Sequence, residues 1–385
     1  MSYKRKITII DNGIVFREPD KVFGYYAWPS VAKNDNGEIV VACSGDRAMH
    51  ICPFGKVLVR ISKDEGKSWM SPIIGIDTPL DDRDAGILNL GGGKMLLSTF
   101  NNNCEFQKKN VIGKDIWGTE EKAQLAYAYL PVVTEKMEKK YIGSLLSISE
   151  DNGYTWGEPF RAPVTAPHGP NLLKDGSLIY AGTSYDVEGY SSDKAFPVNK
   201  ETDFPIAVYK SVNCRDFEKI AEIPICPELG EHFDYCEPHI IELENGRLVL
   251  HIRADEHPVI TPERERRTFT IVQTVSDDGG ATWSTPKALG CKNSPPHLLQ
   301  HSSGTLICAY GHRVPKFGVE VMFSDDNGDT WDMGHAIWDE GMNLDLGYPC
   351  SVELDNGDIF TVYYGKLPGD EMASILWTRW NFEIE

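Results

Sequence analysis

Four residues at the ends of apolar runs carry the most evident chemistry in this sequence. Glu237 opens Glu-Pro-His-Ile-Ile-Glu-Leu and Arg253 ends Leu-Val-Leu-His-Ile-Arg. Arg313 lies in Tyr-Gly-His-Arg, and Tyr348 begins Tyr-Pro-Cys-Ser-Val-Glu-Leu. Guanidinium groups hold carboxylates through paired, charge-assisted hydrogen bonds. A phenol with its ordinary pKa near 10 is a poor nucleophile or base at neutral pH unless an acceptor stands within roughly 2.6–3.2 Å. A carboxylate is such an acceptor.

Histidines recur in similar settings, at His168, His239, His251, His297 and His312. His239 and His297 lie two residues past Glu237 and Pro295, and strand alternation places all four on one face. Neither an H-x-x-x-H spacing nor a fixed Cys/His spacing supports a metal, so hydrogen-bonded histidines are expected, with no cofactor. Tyr25, Tyr26, Trp28 and Tyr364 have faces that stack on a sugar, and equally suit a packed core. Asp82-Arg83-Asp84 is a denser charge cluster than a turn needs.

The elements that must position these residues are announced by two interleaved repeats. Ser62-Lys-Asp64-Glu-Gly66-Lys-Ser68-Trp69 returns at Ser149 to Trp156, Ser276 to Trp283 and Ser324 to Trp331, with a degenerate copy at Ser211 to Phe217. The pattern suits a hairpin turn in which Asp accepts backbone hydrogen bonds, Gly takes positive φ, Ser or Thr adds a hydroxyl and Trp covers the hairpin. The second repeat is a strand, a Gly turn and a strongly apolar strand. It starts at Trp28-Pro29, Asp84-Ala85, Gly169-Pro170, Glu237-Pro238, Pro295-Pro296 and Tyr348-Pro349. The turn glycines, Gly37, Gly93, Gly176, Gly246, Gly304 and Gly357, are 56, 83, 70, 58 and 53 residues apart, the period of a four-stranded propeller blade with insertions. Helical periodicity is nowhere sustained. Six hairpins with five boxes leave the last blade to be closed by the chain ends, with Ser374-Ile-Leu-Trp-Thr-Arg-Trp as third strand and Lys6-Ile-Thr-Ile-Ile as outer strand. The expectation is an all-β, six-bladed propeller forming one domain over residues 1–385.

Composition narrows the partners. The chain has 385 residues and a formal net charge of −19. Such a charge offers no footprint for nucleic acid or anionic lipid, so a bound anion must be held by local positive charge. No apolar run reaches the roughly 18 residues of a membrane span. Asp11 interrupts the apolar stretch after the basic start, which reads as a first strand rather than a signal peptide. Nine singly spread cysteines without a C-x-x-C pair suit reduced thiols and a cytoplasmic location. The oligomeric state is left open.

The Asp boxes and the strand-end residues together resemble the sialidase (neuraminidase) superfamily, whose six-bladed propellers carry such boxes on outer hairpins. The resemblance covers essentially the whole chain. It implies Tyr348 as nucleophile, Glu237 as its activating base, and Arg253 and Arg313 as two arginines of a carboxylate-binding triad. Two family groups are missing. Ala27 stands where the first triad arginine is expected, and no Asp occurs between Asp46 and Asp64, where the acid/base aspartate belongs. Arg47 is the candidate third positive charge, and His50, in a loop at the pocket rim, the candidate acid. Asp84, with Arg83 beside it, is a candidate acid or sugar-hydroxyl acceptor, while Trp28, His168, His239 and His297 are candidate substrate contacts. The implied function is a glycoside hydrolase acting on an acidic sugar. A lyase on a uronate-containing glycan and a non-catalytic glycan-binding propeller are the alternatives.

Overall fold

The computed structural model describes residues 5–110, 119–184, 205–256 and 268–384 of the chain. Its strands form six sheets, each a blade of a single propeller. Blade 1 runs from the axis outward through Tyr25–Lys33, Ile39–Arg47, Lys56–Ser62 and Ile73–Ile76. Blade 2 is Arg83–Gly91, Lys94–Asn101, Gly143–Ser149 and Phe160–Arg161. Blade 3 uses the short Asn171–Leu172 and Val164–Thr165 against Leu178–Ser184, followed by Ile206–Ser211 and Glu218–Ile223. Blade 4 is Phe233–Glu242, Leu248–Glu256, Phe269–Ser276 and Lys287–Ala288, and blade 5 is Pro296–Gln300, Leu306–His312, Phe317–Ser324 and Asp332–Gly341. Blade 6 is Gly347–Glu353, Ile359–Gly365 and Ser374–Ile384, with the N-terminal Arg5–Phe16 as its outer strand. The chain ends close the ring as expected, with Arg5 opposite Ile384 and Phe16 opposite Ile375. The basic residues before Arg5 lie outside the described residues.

Packing between neighbouring sheets forms the core. Between blades 1 and 2, for example, Val40, Ala42, Val57, Val59 and Ile61 meet Ala85, Ile87, Met95 and Leu97. Each sheet buries one face against each neighbour, so its strands are apolar on both sides and read as nearly continuous hydrophobic runs. The turn glycines Gly37, Gly93, Gly176, Gly246, Gly304 and Gly357 all have positive φ, between 75° and 87°.

The Asp boxes are hairpin turns with one repeated bonding scheme. In the third box Asp278 Oδ1 accepts from the Thr282 backbone N–H at 2.9 Å, its Oδ2 accepts from Thr282 Oγ1 at 2.6 Å, and the Gly280 N–H donates to Ser276 Oγ at 2.9 Å. The same bonds recur around Asp64, Asp151 and Asp326. Two successive residues are left-handed, not one: Glu65, Asn152, Gly279 and Asn327 have positive φ, each followed by the box glycine. In the degenerate copy Asn213 Oδ1 accepts from Arg215 and Asp216 N–H groups in place of the Asp.

Among the described residues α-helix is confined to one insertion. Between the second and third strands of blade 2 the chain forms three short helices, α1 (Cys104–Asn110), α2 (Glu120–Tyr129) and α3 (Glu135–Tyr141). Thr119 and Thr134 cap α2 and α3 with their hydroxyls. These helices are too short to display a sustained period, and they bury mainly small residues such as Ala123 and Ala126. They pack with Leu130 against Ala48, Met49, Cys52 and Leu80, and so hold down the loop that carries His50. None of the helices among the described residues is long and apolar enough to cross a membrane. All nine cysteines are free thiols.

The bonds from Thr282 and Ser276 hold the Asp278 carboxyl down at about 2. A carboxyl held below its unfolded value adds stability above that value, and the contribution is lost as pH falls through the folded one. Asp278→Ala is therefore expected to lower the thermal midpoint by a few degrees at neutral pH. The gap to the wild type should shrink from about pH 4 downward and close near pH 2. Calorimetry across this range measures it; a gap independent of pH would assign the loss to something other than the ionised carboxylate.

Candidate functional site

The four innermost strands that bring chemistry to the axis share one backbone irregularity. Trp28, Asp84, Glu237 and Tyr348 have φ of 51°, 50°, 49° and 50°. At each, strand pairing slips, between Ala27 and Ser30, Arg83 and Gly86, Cys236 and His239, and Gly347 and Cys350. Three of the four precede a proline, which has no N–H for the ladder. Left-handed backbone at non-glycine residues costs on the order of 1–3 kcal/mol each and persists only where the surroundings enforce it. The equivalent residue in blade 3 is Gly169, with φ of 73°.

Tyr348, Glu237 and Arg253 come together as one hydrogen-bonded unit. Tyr348 Oη donates to Glu237 Oε1 at 2.5 Å, and Arg253 Nη1 donates to Glu237 Oε2 at 2.6 Å and to Tyr348 Oη at 3.1 Å. Burial, then the neighbouring Glu237 carboxylate, pushes the Tyr348 phenol well above its ordinary value. The phenol thus keeps its proton at rest, with the acceptor already in place. Arg253 is committed elsewhere as well: Asp255 accepts from its Nε at 2.9 Å and from its Nη2 at 2.6 Å. Arg313 converges on the same spot. Its guanidinium lies 5.4 Å from the Phe269 ring centre and 5.5 Å from that of Tyr348, and Arg253 also lies 5.4 Å from Phe269. Arg313 Nη2 donates to the Leu346 carbonyl at 3.1 Å, while its buried Nε has no hydrogen-bond partner among the described residues.

Asp84 comes from blade 2. It is 4% exposed, and its buried Oδ1 has no hydrogen-bond partner among the described residues. Burial first, and then the Glu237 carboxylate, raise its carboxyl to about 7 against the pull of Arg83, Arg47 and Arg253. Asp82, in the same sequence cluster, does something different. It accepts from the Thr78 N–H and Oγ1 at 2.6 and 2.8 Å and fixes the loop.

Several expected substrate contacts are engaged in structure. Arg47 is fully buried; it donates to Asp81 at 2.5 Å, to the His50 carbonyl at 2.7 Å and to Ser44 Oγ at 2.8 Å. A Cβ at Gly55 would fall 2.1 Å from Arg47 Nη1, so only glycine fits there. Arg47 is therefore no third carboxylate ligand. Arg83 donates to the His50 carbonyl at 2.7 Å and meets His50 Nε2 at 3.2 Å, with its guanidinium 4.2 Å from the Trp28 ring centre. Trp28 is 1% exposed, beneath Arg83 and Arg47 and edge-on to His50, so it has no face open for a sugar.

His50 does not suit the acid role. A guanidinium has only donors, so His50 Nε2 must accept from Arg83 and the ring proton sits on Nδ1, facing Tyr25 Oη at 3.3 Å and Asp345 at 3.8 Å. Burial, with Arg83 adding to it, lowers the imidazole to about 4, so it is neutral at pH 7. Asp345 also accepts from Tyr25 at 2.9 Å and from Tyr364 at 3.2 Å, anchoring this wall.

The three axial histidines form a separate cluster. His239 and His297 stack at 4.3 Å between ring centres, and His168 stands edge-on at 5.7 and 5.0 Å. His239 Nδ1 accepts from the Leu298 N–H in blade 5, His297 Nδ1 from the Ser351 N–H in blade 6, and His168 Nδ1 pairs with Ser30 Oγ in blade 1. Burial holds all three well below the usual histidine value. They tie blades together across the axis rather than joining the Tyr348 unit. The inner-strand bulge between Glu237 and His239 breaks the alternation that would have put them on one face. Among the described residues no group of three or more His, Cys, Asp or Glu could hold a metal ion.

Asp255, Asp81, Asp345 and Phe269 were not found from sequence. Asp255 had a usable signal, since it follows Arg253 by two residues on a strand and so shares its face. Asp81 adjoins the Asp82 to Asp84 cluster, but Asp345 and Phe269 carry no local mark.

A family model described as a BNR repeat-like domain matches residues 122–361. No curated protein matches the chain. Among solved structures, a protein of unknown function from Dyadobacter fermentans DSM 18053 aligns over 98% of this chain and 99% of its own, at 19% identity and a TM-score of 0.71. The intramolecular trans-sialidase from Ruminococcus gnavus aligns over 96% of this chain and 97% of its own, at 13% identity and a TM-score of 0.61. The alpha-L-arabinofuranosidase arb93a from Fusarium graminearum does so over 96% and 97%, at 12% identity and a TM-score of 0.61. At such identities the likeness is one of fold, a six-bladed propeller shared with more than one kind of glycosidase. With the family model spanning well over half of it, the chain belongs to the BNR repeat-like domain family, as a divergent, sialidase-like propeller.

Proposed function

We propose that this protein is a glycoside hydrolase that uses Tyr348 as nucleophile and Glu237 as the base that activates it. The observation that carries this reading is the 2.5 Å hydrogen bond from Tyr348 Oη to Glu237 Oε1, with Arg253 bridging both. As Tyr348 Oη attacks the anomeric carbon, its proton passes to Glu237 and the bond to the leaving oxygen breaks. A glycosyl-tyrosine forms, and water then releases the sugar with net retention. A phenol is the fitting nucleophile where the anomeric carbon carries a carboxylate, because it approaches uncharged. Arg253 aims Glu237 through its Nη1 hydrogen bond, and it opposes the charge that builds on the phenol oxygen.

The sugar this site favours is acidic, held chiefly by Arg313. Among the described residues the Arg313 guanidinium donates one hydrogen bond, from Nη2 to the Leu346 carbonyl, whereas Arg253 is engaged by Asp255, Glu237 and Tyr348. One open guanidinium in place of a free triad implies weaker holding of the carboxylate and a greater share for the hydroxyl groups. The likeness in fold to a trans-sialidase and to an arabinofuranosidase is compatible with this assignment.

A screen of short acidic glycans and aryl glycosides, read by mass spectrometry for products gaining water, tests the activity. Unsaturated products would mark a lyase instead. Tyr348→Phe is expected to abolish turnover while leaving binding within a few-fold, and Glu237→Gln to lower kcat far more than affinity. Equal loss of binding in both variants would indicate a glycan-binding propeller.

Arg313→Ala is expected to raise KM for an acidic substrate by about 10- to 100-fold with a smaller change in kcat, since it removes a charge-assisted bond made in both ground and transition states. Unchanged steady-state constants would show that the carboxylate sits elsewhere.

A further inference from the structure

The family's acid/base aspartate has no counterpart in the loop after blade 1's second strand, and His50 in that loop is a neutral group pinned by Arg83. Catalysis on an unactivated glycoside nevertheless requires a proton for the departing oxygen. Carboxyl groups from neighbouring elements are the remaining proton donors. Asp81, Asp82, Asp255 and Asp345 each hold or anchor neighbouring groups through their hydrogen bonds. Asp84 differs, with a buried Oδ1 that has no hydrogen-bond partner among the described residues.

Resting on the reading of this site as a Tyr348 glycosidase, we propose that Asp84 is its acid/base residue, protonating the glycosidic oxygen and then deprotonating the incoming water. Its place in the fold supports the role. The six equivalent inner-strand positions read Trp28, Asp84, Gly169, Glu237, Pro295 and Tyr348 around the axis, so the three reactive groups come from alternate blades, 2, 4 and 6. Asp84, Glu237 and Tyr348 share the same left-handed bulge, which aims all three side chains from corresponding points of their sheets. Gly169, between Asp84 and Glu237 in this order, contributes no side chain, and a Cβ there would fall 2.5 Å from Ser98 Oγ. Asp84 is close enough to Glu237 and Tyr348 for its charge to act on both, and Tyr364 feels it too. The cations that act on it are Arg83, beside it on its own strand, and Arg47 and Arg253 from other strands.

The protonation states then fit the reaction. With its carboxyl raised to about 7 by burial and Glu237, Asp84 carries a proton in a sizeable fraction of molecules near neutral pH, and Glu237, hydrogen-bonded to Arg253, is placed to accept one from Tyr348. In the first half, the phenol oxygen bonds to the anomeric carbon, its proton goes to Glu237, and the Asp84 proton goes to the leaving oxygen. In the second half, Asp84, now a carboxylate, takes a proton from water as the water oxygen displaces Tyr348. Glu237 returns its proton to the phenol, and the enzyme is restored. No co-reactant beyond water enters.

The test pairs each acidic sugar as its dinitrophenyl glycoside, whose leaving group departs without a proton, and as its methyl glycoside, whose leaving group does not. Asp84→Asn is expected to lower kcat/KM on the methyl glycoside by about 10²- to 10⁴-fold. On the dinitrophenyl glycoside the glycosylation step should remain within about tenfold of wild type. Added azide should restore turnover and give the glycosyl azide with retained configuration. The alkaline fall in wild-type kcat/KM, expected near pH 7, should vanish in the variant. Independently of turnover, an infrared difference spectrum between wild type and Asp84→Asn should contain a protonated-carboxyl band at pH 6 that disappears above about pH 8. Equal loss on both glycosides, or no loss on either, or absence of that band, overturns the assignment while Tyr348→Phe still reports on the nucleophile. If the wild type turns over none of the pairs, the glycosidase reading and this inference fall together.

Discussion

A left-handed residue at the head of the inner strand is the constraint from which the site follows. In a regular strand, successive side chains alternate between the two faces of the blade and would enter the cores between sheets. The bulges at Trp28, Asp84, Glu237 and Tyr348 break the ladder, and the proline that follows three of them removes the N–H that would restore it. The same backbone device thus delivers a tryptophan, two carboxyls and a phenol to one region. Its cost is distributed over the six sheets, whose packing and closure by Arg5–Phe16 make the inner strands too well held to relax.

Around that frame, charge is balanced locally. Arg253 stands between Glu237 and Asp255, Arg47 and Arg83 share Asp81, and Asp345 gathers Tyr25, Tyr364 and His50. Buried ions persist when they are paired and hydrogen-bonded, and each pair here fixes the orientation of a group nearer the axis. Among the described residues Arg313 Nε, Arg47 Nε and Asp84 Oδ1 are buried without a hydrogen-bond partner. Trp28 lies beneath the two guanidiniums it contacts and acts as the floor of this arrangement.

The fold was legible because propeller blades repeat. Asp64, Asp151, Asp278 and Asp326 mark outer hairpins by a local bonding scheme that needs few residues, and the six turn glycines set the period. The α1 to α3 insertion escaped because its helices are short and bury alanines, which leave little hydrophobic periodicity. Within the site, Tyr348, Glu237, Arg253 and Arg313 were legible as polar residues where strands begin or end, and they do converge. Arg47, Trp28 and the three axial histidines looked like substrate contacts for the same reason. What separates them is the identity of their partners, Asp81 for Arg47 and Ser351 for His297, neither of which belongs to the Tyr348 unit. Sequence spacing holds no record of that.

The account rests on Tyr348 forming a bond to the sugar. Incubation with a fluorinated acidic sugar that glycosylates the enzyme quickly and is released slowly, followed by proteolysis and tandem mass spectrometry, observes that bond directly. The expected result is a single adduct of the sugar's mass on Tyr348, absent in Tyr348→Phe and slow to form in Glu237→Gln. An adduct on Glu237 or Asp84, or hydrolysis with inverted configuration and no adduct, would contradict it.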